Sequence, residues 1–496
     1  MSPWCRLLAL LALVVAPSLA CHDIHFSPRG GEGEILLYDD LYTVSMPDPD
    51  HIVAGGYWGA IYYSHDGGTT WRQGDTGTKR LIYGVSMADA QRGWAVGQMG
   101  TILRTEDGGA TWKAQDNPKI AEGVNLFAVQ AIDANTAWVV GEWGTRIFTD
   151  NGGISWQDRS LTIDETHPQF VWLAPVDQDR VRRGEPVFED VTLNDVDCAR
   201  APGTRCWIIG EFGYIFFSEN RGHTWQRAEI TGGEKFDPIR MPYNVLSISD
   251  EDRERLRGFA AAIAPQEHLN VEIEPVASAR EVQQFGRNRE DPSELFEILE
   301  ARAQEVRAAL EEAGILSDRL RMRGSPPWDW EDFIEDDPDF LERYLRGRTA
   351  EFPGVLVRVS QNPYLFTVRF ENDDEGFIAG LGGVVLYSAD GGRTWEYRNT
   401  GRKQALFAIE RAGDRIIGVG EKGYVQVSTD RGQSWQGPGG GFPPIFTFMR
   451  DIGFSPGDER GVIVGQRGMV LRTDDRGVHW ERVLPPRREG EALASF

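Results

Sequence analysis

The sequence is poor in the residues that most often mark chemistry. Of 496 residues only 4 are Cys and 8 are His, and no HExxH, CxxC or GxSxG stretch occurs. Zinc-protease, thiol-redox and serine-hydrolase chemistry therefore lack a carrier, and we expect no catalytic residues, no metal and no cofactor. Positive charge is also scarce. Lys and Arg number 52 against 76 Asp and Glu, a net charge of −24. A surface that negative repels nucleic acid, which is excluded as a partner, and in bulk repels anionic lipid heads as well; only a local basic patch would act otherwise. Long apolar runs are missing too. The one candidate, LLALLALVVA at 7–16, is short for a bilayer.

That short run reads as an export signal. Arg6 precedes it, Pro17 breaks it, and Ser18-Leu19-Ala20 offers small residues to a signal peptidase before Cys21. Residues 1–20 are thus expected to be removed, an uncleaved anchor being the alternative. Of the remaining cysteines, Cys198 and Cys206 end the stretch DCARAPGTRC, and a disulfide there would close a small loop in an oxidising compartment. Cys21 is left odd, at the new N-terminus. The arrangement resembles a bacterial lipoprotein, which implies lipidation on Cys21, with Ser18 and Leu19 departing from the usual pattern. Plain secretion and a lipid anchor both remain open, so the expected location is periplasmic or anchored to a bacterial membrane.

Gly (57) and Trp (16) are abundant, and they recur together. GYWGAIYYSHDGGTTW, GQMGTILRTEDGGATW, GEWGTRIFTDNGGISW, GEFGYIFFSENRGHTW, GLGGVVLYSADGGRTW, GEKGYVQVSTDRGQSW and GQRGMVLRTDDRGVHW are versions of one unit, ending at Trp71, Trp112, Trp156, Trp225, Trp395, Trp435 and Trp480. Most spacings between these tryptophans fall at 40 to 45 residues, the length of a four-stranded propeller blade. Within a unit LFAVQAI alternates, TAWVV is a short apolar run, TRIFT alternates again and SWQDRS closes. The expectation is an all-β fold: a seven-bladed β-propeller, with a solenoid as the alternative.

The S/T-x-D-x-G-x-T-W end of each unit resembles the Asp-box, or BNR repeat, of sialidases and many non-enzymatic propellers. There it is a turn whose Asp and Ser/Thr bond the local backbone. Asn151 and Asn220 replace the Asp in the third and fourth copies, which suits a structural turn better than a metal site. The whole unit, clearest in GWAVGQMGTILRTEDGGATW, resembles the photosystem II stability and assembly factor family. That resemblance implies a protein-binding scaffold or assembly factor, acting on an envelope or membrane protein complex in an exporting bacterium. The rival is a glycan-binding or sialidase-like hydrolysing propeller, but the IRMP run around Arg240 follows the fourth box instead of preceding the first.

Two insertions interrupt the period. LAPVDQDRVRRGEPVFED, with Arg180, Arg182 and Arg183, reads as a long loop before the fourth blade. Residues 235–351 change composition altogether and divide blades one to four (21–234) from blades five to seven (352–496). The order strand NVLSIS, helix, strand HLNVEIEPVAS, helix and strand DRLRMRG predicts an inserted α/β domain between blades four and five. It resembles an OmpA-like peptidoglycan-binding module. The resemblance places the ligand arginine at Arg302 and Ser278 where the family has aspartate, so peptidoglycan is a possible second partner. The acidic, aromatic PPWDWEDFIEDDPDF that follows could pack on the propeller or hold a partner.

The candidate surface is the ring of x-x pairs in the seven GxxG turns. They place Tyr57 and Trp58, Gln98 and Met99, Glu142 and Trp143, Glu211 and Phe212, Leu381, Glu421 and Lys422, and Gln466 and Arg467 around one rim. Tyr57, Trp58, Glu142, Trp143, Glu211, Phe212 and Glu421 are the expected partner contacts, unless the rings pack back onto neighbouring turns.

Overall fold

The computed structural model describes residues 39–483, apart from 168, 171–172, 200–202, 232–235, 266–268, 286–291, 323–344, 346–348, 361–362 and 371. The signal stretch, Cys21 and the PPWDWEDFIEDDPDF segment lie outside the described residues.

Each repeat folds as the alternation predicts. In the first, Leu41–Ser45, Ile52–Gly56, Ile61–Ser64 and Arg72–Gln73 pair in order as an antiparallel meander. Six more meanders follow, opened by the inner strands Ile82–Met87, Leu126–Ala131, Leu193–Cys198, Leu365–Phe370, Leu406–Ala412 and Met449–Phe454. In the sixth, the fourth strand is reduced to a bridge between Val427 and Gln436. The fifth gains an extra edge, because Glu229–Thr231 runs parallel to Thr394–Tyr397.

The core sits between sheets, not within them. One cluster joins Val53 and Ile61 of the first sheet to Val85 and Leu103 of the second; another joins Trp207 and Ile209 of the fourth to Ile378 and Trp395 of the fifth. The last such cluster, with Leu41, Ile52, Val462 and Val470, packs the seventh sheet on the first. A sheet with two apolar faces has no stable form alone, and stacking around a ring covers both. The chain is a β-propeller.

Closure of the ring is made mostly by side chains, with one backbone bond from the Gly468 N–H to Asp39 O at 3.0 Å. The first sheet comes wholly from one end of the described chain and the seventh wholly from the other. Across the seam Asp451 Oδ2 accepts the Val44 N–H at 2.8 Å, Arg460 pairs with Asp50 at 2.9 Å, and Arg472 donates to Thr69 Oγ1 at 3.0 Å.

Buried tryptophans lock neighbours together. Trp138 and Trp207, on second strands, are fully buried and donate Nε1–H to Arg221 O and Gly391 O in the Asp-box of the next sheet. Gly222 and Gly392 sit against those indoles at φ +84° and +82°, where a Cβ would lie 2.4 Å from the ring. Cys198 and Cys206 face each other across adjacent strands and are joined as a disulfide, Cα–Cα 4.0 Å.

Residues 239–360 build a separate mixed sheet. Its order is Ile239–Arg240, Gly354–Ser360, Asn270–Ser278 and Leu320–Met322, covered by helices Asp250–Ile263 and Ser293–Glu312. The two helices lie where the apolar spacing placed them, and Ser249 caps the first by accepting the Asp252 N–H. Two expectations need correction. NVLSIS is not a strand; the chain there turns after Pro242, with Asn244 at φ 58°. The sheet instead recruits Gly354–Ser360, antiparallel to Asn270–Ser278, so the boundary at 351 falls too early.

Candidate functional site

The Asp-box turns are closed structures. In the second, Thr105 donates to Asp107 at 2.9 Å and accepts the Gly109 N–H at 3.0 Å. Asp107 also accepts the Thr111 N–H at 2.8 Å and its hydroxyl at 2.6 Å, while Trp112 donates to Gly109 O at 3.0 Å. Burial raises the Asp107 pKa, but these bonds outweigh it and hold the carboxyl below its usual range. In the third box Asn151 keeps the backbone bond through Oδ1 and reverses one polarity, donating Nδ2–H to Ser155 Oγ at 2.9 Å. An acidic turn whose oxygens are all directed at its own loop is scaffold. Among the described residues no group of three or more His, Cys, Asp or Glu is arranged to hold a metal ion.

The opposite face behaves differently. In the first, second and fourth sheets the second x of GxxG is a bulky residue in the left-handed region: Trp58 at φ 55°, Met99 at 54° and Phe212 at 55°; Trp143 in the third lies at 56°. Such a backbone costs a non-glycine residue about 1 kcal/mol or more, and it points each side chain outward at the tip. Tyr57, Trp58, Trp143 and Phe212 are 46%, 56%, 52% and 45% exposed. The connecting loops add Ile120 beside Gly100, Tyr364 against Phe212 at 5.6 Å and Phe446 beside Gly423. With Met99 and Leu381, nine of the thirteen exposed large apolar side chains among the described residues lie on this one rim.

The rim glutamates do something else. Glu142 accepts the Asn125 N–H and Nδ2–H at 2.9 Å, Glu211 the Thr192 N–H at 3.4 Å and Glu421 the Ala405 N–H at 3.3 Å. Gln98 does the same for Leu81 at 3.2 Å. Each residue braces its turn against the start of its own inner strand. The carboxylates at Glu142, Glu211 and Glu421 are therefore directed at the backbone, and the aromatic neighbours carry the exposed surface.

Inside the rim lies a channel of about 1270 Å3, which sequence reading missed. The residue after the apolar opener of each inner strand forms a collar at its mouth: Tyr42, Tyr83, Phe127, Asn194, Phe366, Phe407 and Arg450. Tyr83 lies 6.2 Å from Tyr42 and 5.0 Å from Phe127, and Phe366 lies 5.7 Å from Phe407. Arg450 stacks over Tyr42, Phe407 and Phe448 at 5.1, 4.8 and 5.3 Å.

Deeper in the channel Arg369 meets four carboxylates. It donates to Asp195 at 2.7 Å and lies 3.4 Å from Glu410. Asp195 and Asp197 accept the Val368 and Phe370 N–H groups of the next sheet at 3.0 and 2.7 Å. Thr43, Ser45 and Ser86 make the same stitch with hydroxyls, to Val85, Met87 and Ala131. Burial pushes Glu410 up to about 7 and Asp451 up to about 6, the Arg369 charge opposing it in both. For Arg369 burial acts downward, but Asp195 and Glu410 outweigh it and hold the guanidinium protonated.

The remaining sequence candidates fall elsewhere. Arg302 is fully buried in the mixed sheet's core. Its guanidinium bonds Glu281 at 2.6 and 3.3 Å and the Val245 carbonyl at 3.1 Å. Glu281 in turn accepts the Ser278 N–H and hydroxyl at 2.9 and 3.1 Å. The chain itself supplies the carboxylate that the resemblance reserves for a ligand. Arg240 lies on the edge strand of that sheet, over the Phe352 ring at 4.9 Å. In the loop before the fourth sheet, Pro175–Arg182 is a helix in which Arg180 and Arg182 pair with Asp177 and Asp179, and just after it Arg183 pairs with Glu185.

The family model for the photosynthesis system II assembly factor YCF48 matches residues 68–169 and 349–437, and the BNR/Asp-box repeat model matches 62–73. No curated protein matches the chain. Among solved structures, YCF48 bound to D1 peptide is 14% identical, covering 89% of this chain and 93% of that one at a TM-score of 0.46. YCF48 from Cyanidioschyzon merolae is 13% identical over 89% and 97%, also at 0.46. The WD40 propeller of Doa1 is 7% identical over 90% and 97%, at 0.45. The two matched stretches hold the second, third, fifth and sixth Asp-boxes, and through them the chain is a BNR propeller similar to the photosystem II assembly factors.

Proposed function

We propose that the chain is an exported seven-bladed propeller with an inserted α/β domain, acting without catalysis as a binding scaffold for a membrane protein complex of the cell envelope. The observation that carries this reading is the concentration of exposed large apolar side chains on one rim. A monomer gains nothing by exposing them, whereas a partner that covers them removes them from water. Tyr57, Trp58, Trp143 and Phe212 are the proposed contacts, with Glu142, Glu211 and Glu421 shaping the turns. The match to a family described as an assembly factor supports it.

Replacing Trp58 and Trp143 together with Ala is expected to weaken binding by about a thousandfold, at about 2 kcal/mol for each buried aromatic anchor, and so to abolish recovery of the partner from solubilised envelopes. The thermal midpoint should stay near that of wild type, because both side chains are exposed. Undiminished recovery would remove the rim from the proposal.

A further inference from the structure

We propose that the arc of the rim formed by the fifth to seventh sheets is a lipid-contact edge, which rests on anionic headgroups while the apolar arc of the first four sheets meets the protein partner. This rests on the rim being the functional face.

The two arcs differ in chemistry. On the first arc the exposed turn tips are Tyr57, Trp58, Met99, Trp143 and Phe212, and its exposed cations Lys79 and Arg80 sit in one connecting loop beside Gly59 and Met99 and not at the tips. On the second the apolar tips are Leu381 and Phe446, 50% and 87% exposed; Arg402 and Lys422 stand between them and Arg467 lies beyond Phe446, all three exposed. Lys422 and Arg467 occupy the same left-handed tip position as Trp58, at φ 48° and 59°, so their ammonium and guanidinium groups project as the indole does. The acids nearby are half-buried and engaged in local hydrogen bonds. Glu421 accepts the Ala405 N–H, Asp40 accepts the Arg467 N–H at 2.8 Å and Asp39 accepts the Tyr62 hydroxyl at 2.5 Å. In a chain of net charge −24 this edge presents cations with apolar fingers between them.

That pairing fits the bilayer interface. Cations attract anionic headgroups, and an aromatic or aliphatic tip reaches the acyl boundary. Phe446 stands out from a loop between Pro444 and the next inner strand, with no ring contact among the described residues. Isolated tips of this kind give no packed centre to a protein interface, but a fluid headgroup layer accommodates them separately. The overall negative charge would orient the molecule, holding the other faces away from the bilayer.

Co-sedimentation of the Cys21→Ser chain, which cannot carry an acyl group on that residue, tests this with vesicles of phosphatidylcholine alone or with added phosphatidylglycerol. Binding is expected only with phosphatidylglycerol, and should weaken in high salt. Changing Arg402, Lys422 and Arg467 together to Gln should weaken it by about a hundredfold, at about fivefold per cation. Phe446→Ser should weaken it by about tenfold, and Trp58→Ala with Trp143→Ala should leave it unchanged. Absence of binding, equal binding to both vesicles, or a triple variant that binds like wild type overturns the proposal. If the triple variant instead loses the protein partner while vesicles are ignored by every form, the arc faces an acidic protein surface and the lipid edge is refuted, with the partner-binding rim intact.

Discussion

Arg369→Met is expected to lower the stability of the propeller by about 2–3 kcal/mol at neutral pH, less than the ~3–5 kcal/mol of a fully buried pair because Arg369 and Glu410 are 29% and 24% exposed to the channel. Arg369 stands on the inner strand of the fifth sheet and faces Asp195 of the fourth and Glu410 of the sixth. Without it, Asp195, Asp197, Glu410 and Asp451 converge on the channel with no cation at their centre. The carboxylates that stitch the fourth sheet to the fifth would be neutralised or driven apart. Urea unfolding followed by circular dichroism measures the loss directly. The pH dependence gives a second signature. Glu410 and Asp451 have folded values raised above their unfolded ones, to about 7 and about 6. Between about pH 4 and pH 7 the native state therefore binds more protons than the unfolded chain, and stability falls as pH rises through that window. The wild type should be more stable at pH 5 than at pH 8, and the Arg369→Met deficit should shrink at pH 5. Below pH 4 the trend reverses, because Asp430 and Asp475 in their turns are held down at about 2 and lose their bonds on protonation. A variant with an unchanged urea midpoint at both pH values would show that the network carries no stability.

Arg302→Ala is expected to destabilise the mixed-sheet unit by about 3–5 kcal/mol, for the same reason in a drier place. Glu281 would remain in the core with its Ser278 bonds and no cation, and the Val245 carbonyl would lose its donor. Burial raises the Glu281 pKa, but the Arg302 and Ser278 bonds outweigh it and keep the carboxyl below its normal range. Proteolysis confined to residues 239–360, with the propeller core surviving, is the expected readout. A ligand-binding arginine would give the opposite pattern: unchanged resistance to protease and loss of sedimentation with peptidoglycan sacs.

The repeat was legible because its signals are local. Gly at the turns, Asp or Asn bonding its own loop and Trp after it all lie within one sixteen-residue unit, so Asp107 and Asn151 could be read as scaffold from sequence. The exposure of Trp58 and Trp143 followed from their place in a turn. The glutamates beside them were misleading, since a carboxylate in a turn looks solvent-facing until the start of its inner strand, seventeen residues upstream for Glu142, is brought back to it. The channel was hidden for a similar reason. LYTVS, IYGVS, LFAVQ, LNDVD, LFTVR, LFAIE and MRDIG align column for column, but alternation alone does not say that the second and fifth columns face a common axis. That is decided only when the ring closes. The insert boundary failed because Gly354–Ser360 pairs with a strand about eighty residues earlier, and no local pattern distinguishes that strand from the opening of a blade.

On the proposed reading the rim, not the Asp-box face, meets the partner. A photo-cross-linking amino acid placed singly at Trp143 and at Ile154 tests it within one sheet, since both positions are exposed and they lie at opposite ends of the Arg146–Thr149 strand. After irradiation of intact cells, a discrete adduct with a membrane protein is expected from position 143 and none from position 154. An adduct from 154 alone, or equal adducts from both, would contradict it.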